Sequence, residues 1–104
     1  MAKAYWIANV DVADPEAYKA YMRANAIPFV KYGAHFLVRA GRYAVVEGAS
    51  RSRQVVIEFK DYETALACYQ SAEYQAAKTL RTQVSSADLV IVEGYDGPQP
   101  GETK

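Results

Sequence analysis

The sequence predicts one α+β domain with elements in the order β, α, β, β, α, β, an antiparallel sheet and helices on a single face. Three observations carry this expectation. Residues 3–12 and 88–93 are short runs rich in β-branched and aromatic side chains. A third such run, Arg53 to Phe59, lies mid-chain and is the strongest strand candidate. Two stretches with apolar residues three and four apart each begin at an aspartate suited to cap a helix.

The first strand is Lys3-Ala-Tyr-Trp-Ile-Ala-Asn-Val-Asp-Val12. Asp14-Pro15-Glu16 then starts a helix: the aspartate accepts a bond from a free N–H, the proline wastes no donor, and the glutamate meets the positive dipole end. Tyr18, Tyr21, Met22, Asn25 and Phe29 share one face of it. Pro28 is placed to kink the helix, and Gly33 to end it. His35-Phe-Leu-Val-Arg39 is the second strand, Ala40-Gly41-Arg42 a turn, Tyr43 to Glu47 a short extra strand, and Gly48 to Ser52 a flexible loop. Asp61 caps the second helical region, with Tyr62, Ala65, Leu66 and Tyr69 on one face. Ser71 interrupts and restarts it, giving a further stripe of Tyr74, Ala77, Leu80 and Val84. Asp88 to Glu93 is the last strand. Right-handed crossovers place the strands joined through helices side by side, which is a ferredoxin-like arrangement. Residues 1–95 are expected to form the domain and residues 96–104 a loose tail, or one that lies across a neighbour.

A chain of 104 residues hides roughly 65% of its unfolded surface, enough for a core without disulfides or metals. Twelve basic and twelve acidic side chains balance to zero and are spread along the chain. With no basic stripe, neither nucleic acid nor an anionic membrane surface is an expected partner. The N-terminus runs directly into a strand, so no leader peptide or spanning segment is expected. A lone Cys68 has no intrachain partner and agrees with a reducing cytoplasm. Its apolar helical setting suggests a buried, inert thiol.

The sheet has a second apolar row. With Val55, Ile57 and Phe59 facing the helices, Gln54, Val56 and Glu58 face away. Val90 and Val92 oppose Leu89 and Ile91, and Tyr5 and Ile7 oppose Trp6, Ala8 and Val10. A bare face of that character is larger than monomers usually expose. The expected assembly is a homodimer with two sheets face to face, burying more than about 1,000 Å2.

The blocks Tyr5-Trp6-Ile7, Asp14-Pro15-Glu16-Ala17-Tyr18, Lys31-Tyr32-Gly33 and Phe36-Leu37-Val38-Arg39 resemble the bacterial family of unknown function 1330. Glu47-Gly48, Val55 to Phe59, Ala67 to Tyr74 and Val90 to Gly94 continue the resemblance over residues 3–95. It implies the dimeric α+β barrel group, and no established activity comes with it. Ala34 and Ala40 stand where such sequences often carry Gly, and Ala72 where Pro is common.

Candidate chemistry rests on few residues. His35, the only histidine, is a candidate general base, as imidazole ordinarily titrates near neutral pH. Glu58 is a second candidate base, because a mid-strand charge between Ile57 and Phe59 needs a partner or a function. Arg39 and Arg53 are candidates to clamp a carboxylate in bidentate fashion. Arg39 is expected on the same strand face as His35. Nine tyrosines against three phenylalanines and one tryptophan point to surfaces that are buried but not dry. Tyr5, Tyr18 and Tyr21 are expected to line a cleft between sheet and first helix, with Asn9 supplying a hydrogen bond. No metal-ligand spacing, phosphate loop or nucleophile elbow is present, so neither metal nor cofactor is expected. Three functions follow as expectations: a binding protein for a small organic ligand, a cofactor-free enzyme of oxygenase or isomerase type, or a structural dimer acting through protein partners.

Overall fold

The computed structural model describes residues 2–102. β1 (Ala4–Val12) leads to α1 (Pro15–Ala24) and α2 (Ala26–Lys31), then β2 (His35–Arg39) and β3 (Arg53–Phe59). α3 (Tyr62–Gln70), α4 (Ala72–Thr82) and β4 (Ser85–Glu93) complete the chain. The four strands form one antiparallel sheet in the order β2-β3-β1-β4, with the helices on one face. β1 is thus central, pairing with β3 through Trp6↔Ile57 and with β4 through Trp6↔Ile91.

Local signals explain most boundaries. Asp14 accepts from the Ala17 N–H at 3.2 Å, Asp61 from Thr64 at 2.8 Å and Ser71 from Tyr74 at 3.1 Å. Each is a side chain satisfying an orphan helix donor. The first helix does break, but at Asn25 rather than at Pro28. A proline ring collides with the carbonyl four residues back, so the disruption falls one turn upstream. Gly33 takes φ +70°, with Ala34 N–H donating to Phe29 O and Gly33 N–H to Val30 O. This paired closure is the Schellman arrangement that left-handed glycine permits.

Three further expectations are corrected. Tyr43 to Glu47 is no strand: residues 40–52 form an irregular arm with Tyr43, Val45 and Val46 exposed. Strand propensity without a partner edge does not make a strand. The arm is anchored at its base, where Arg51 reaches Asp11 at 3.1 Å and Asp88 at 3.0 Å, and Ser52 N–H donates to Asp11 at 2.9 Å. β4 begins at Ser85, three residues before the expected start. The buried stripe of α4 is Tyr74, Ala77 and Arg81, while Leu80 is 39% exposed.

Ala40, at the foot of the arm, holds φ +59°. The left-handed region costs an L-residue about 1–2 kcal/mol, partly offset by the greater unfolded freedom of glycine. Ala40→Gly is therefore expected to stabilise the protein by about 0.5 kcal/mol, raising Tm by about 2–4 °C. An unchanged or lower Tm in a thermal melt would refute it.

The core lies between sheet and helices and centres on Trp6. Its indole packs edge-on against Phe29, Tyr69 and Tyr74, and its Nε1 donates to Ala65 O at 2.9 Å. The opposite sheet face is uncovered, exposing Ile7, Val38, Val90 and Val92. The molecule is a slab of 50 × 34 × 16 Å with a radius of gyration of 15.1 Å. A compact domain of this length has about 13 Å. Beyond β4, Tyr95 Oη donates to Pro98 O at 2.7 Å and folds the first part of the tail on itself. The last two residues of the expected tail, and Met1 of the expected domain, lie outside the described residues.

A candidate ligand cavity between the helices and the sheet

A cavity opens where α1 and α4 cross the sheet near the foot of the arm. Ala8 of β1 and Ala87 of β4 form part of its floor, and their small side chains leave space beneath the helices. Tyr18, Tyr21 and Met22 of α1 and Tyr74 of α4 wall it. With its open mouth included, the space is about 510 Å3. It is a slot between sheet and helices, partly open to solvent.

The polar groups converge from four elements, α1, α4, β2 and β3. Tyr21 and Tyr74 hydroxyls meet at 2.7 Å in the interior. Burial, then the neighbouring Tyr21, pushes the Tyr74 phenol upward, and burial does the same to Tyr18. Both therefore stay neutral across the physiological range. Arg53 of β3 stands over the Tyr18 ring at 5.4 Å, and Arg81 of α4 over Tyr21 at 5.6 Å. The Nε atoms of both arginines are buried without a hydrogen-bond partner. Arg39 stacks on Phe36 at 4.4 Å and also lines the cavity.

The expected site residues divide between the two faces of the sheet. Tyr18, Tyr21, Arg39 and Arg53 come together around the cavity. Tyr5 and Asn9 do not, because strand side chains alternate and both share parity with Ile7 on the uncovered face. Asn9 instead accepts from the Arg51 N–H at 3.3 Å. His35 and Glu58 also lie on that face, as direct cross-strand neighbours. Glu58 is bound to Lys3 at 3.3 Å, and among the described residues His35 makes no side-chain hydrogen bond. Arg39 is not on the His35 face. A bulge between Phe36 and Val38 adds a residue and turns Arg39, opposite Val55, toward the helices.

Arg81, Tyr74 and Asn25 were not among the expected ligand residues. Position 81 continues the spacing of Tyr74 and Ala77 by four, a core register that a charged residue does not normally hold. Cys68 is buried, its Sγ 3.9 Å from Pro28 O, and burial pushes the thiol up to about 12, which leaves it inert. Among the described residues no cluster of three or more His, Cys, Asp or Glu is placed to hold a metal, and no helix is long and apolar enough to cross a membrane.

Fold and cavity together define an α+β domain with a ferredoxin-like sheet. The chain belongs to the family described as domain of unknown function DUF1330, whose model matches residues 3–95. No curated relative matches it. The methylated RPA0582 protein is similar at TM-score 0.72 and 15% identity, over 97% of this chain and 84% of that one. RPA0582 of Rhodopseudomonas palustris, a protein of unknown function, gives 0.69 and 16%, over 92% and 85%. SnoaB, a cofactor-independent oxygenase from Streptomyces nogalater, gives 0.62 and 10%, over 98% and 100%. At these identities the likeness is one of fold.

Proposed function

We propose that the protein works as a homodimer in which each chain binds a small organic molecule in the cavity beneath α1 and α4. The observation that carries this is the slot itself: apolar walls with a few convergent polar groups, the usual make-up of a ligand site. Dimerisation is supported by the uncovered sheet face and by the slab shape, half of a two-sheet sandwich. Residues 1–95 form the working unit in this reading, and 96–104 a tail free to lie across a neighbour. The single buried thiol supports a reducing cytoplasm as its compartment.

An enzymatic reading is supported by the fold shared with SnoaB. It assigns His35 or Glu58 as base. In one chain both lie across the sheet from the cavity, so they would act only on a molecule held at the face between two copies.

Native mass spectrometry of freshly purified protein tests both readings. A dimer carrying a releasable small molecule is expected, and its retention by His35→Ala and Glu58→Ala proteins would place the ligand in the cavity. A monomer would refute the assembly. Conversion of the released molecule by wild type, but by neither variant, would favour the enzyme.

A further inference from the structure

We infer that the cavity selects a small organic anion, a carboxylate or enolate head on a flat apolar body, with Arg81 and Arg53 as its cationic partners. This deepens the binding reading above and rests on it. Three arginines line the cavity, and among the described residues no aspartate or glutamate does. None of the three is within an ion pair: the pairs of the described residues involve Lys3, Lys19, Lys31 and Arg51 instead. Arg81 is 7% exposed, yet its Nε donor has no partner, and the buried Nε of Arg53 has none either.

An arginine kept for structure at such depth ordinarily pairs with a carboxylate. Here the neighbours are tyrosines: the Tyr18 and Tyr21 rings attract a cation, and the Tyr18 and Tyr74 hydroxyls offer Arg53 and Arg81 a neutral oxygen but no charged partner. A guanidinium edge presents parallel N–H donors matched to a planar two-oxygen acceptor. The tyrosine pair adds to the imbalance. One hydroxyl donates to the other, and the remaining phenolic hydrogen is left for a third group. The site is rich in donors and holds no carboxylate to accept from them. Its size agrees: about 510 Å3, open mouth included, lies in the usual range for a small organic ligand.

Benzoate and benzamide are probes of nearly one shape that differ in charge. Trp6, the only tryptophan, lines the cavity and reports occupancy through its fluorescence. Wild-type protein is expected to bind benzoate at least ten-fold more tightly than benzamide. Arg81→Met should erase most of that ratio, as loss of a charge-assisted bond weakens binding roughly ten- to hundred-fold, while benzamide affinity changes little. Arg53→Met, at a half-buried position, makes the same test should Arg81→Met fail to fold. Equal affinity for the two probes would overturn the anion preference and leave the cavity as a binding site. Failure of both to perturb Trp6 would overturn the binding reading as well.

Discussion

Trp6→Ala is expected to destabilise the protein by about 3–5 kcal/mol, the range for removing a large buried aromatic. Trp6 is 1% exposed and touches Phe29, Phe59, Tyr69 and Tyr74, four aromatics drawn from α2, β3, α3 and α4. Its removal opens a void where sheet and helices meet and strips four aromatic rings of a shared partner. Domains of this size hold about 5–15 kcal/mol in total. Tm should fall by about 15–30 °C, which a calorimetric or circular-dichroism melt reads directly. Trp6→Phe keeps most of the volume and should lose less than half as much. A drop of only a few degrees for the alanine variant would mean that the aromatic cluster is not the packed centre described above.

If two copies pair through the uncovered sheet face as proposed, Val90→Glu raises the dimer dissociation constant by roughly 100-fold or more while leaving the fold of one chain intact. Val90 is 59% exposed in a single chain and sits beside Ile7 in the pairing of β4 with β1. In a two-fold interface one substitution is present twice, and each carboxylate must leave water without a partner. Because the residue faces away from the helices, the thermal melt of the isolated chain should change little. Sedimentation equilibrium across a dilution series separates the possibilities. Wild-type dimer affinity in the variant would show that the uncovered face is not where two copies meet.

Much of the fold is readable from residue order, since its signals are local. Asp14-Pro15, Asp61 and Ser71 each mark a helix start through their own side chains, and Arg53 to Phe59 alternates as a two-faced strand must. The misjudged segment, Tyr43 to Glu47, carries strand-forming residues but lacks a neighbour, and pairing is a property of the whole sheet. The site was less readable. Parity along β1 already separates Tyr5 and Asn9 from Trp6, so their absence from the cavity follows from the pleat. The bulge in β2 reverses the parity of Arg39 and leaves no mark in composition. Arg81 escaped notice for a different reason: charge argues for the surface, and only the spacing from Tyr74 and Ala77 argues for the interior. Where those two signals conflict, the conflict itself marks the group worth testing.

The central position of β1 also governs when this chain can fold. The first strand pairs with the last, from Ala4↔Glu93 to Val12↔Ser85, and the Gly94 N–H closes on Lys3 O at 2.7 Å. Contacts spanning nearly the whole chain give a high contact order and slow assembly. During synthesis β1 emerges first and holds its β4 edge open until the last strand is made. Until then the Trp6 cluster lacks one wall, so the domain completes as a single late event rather than piece by piece.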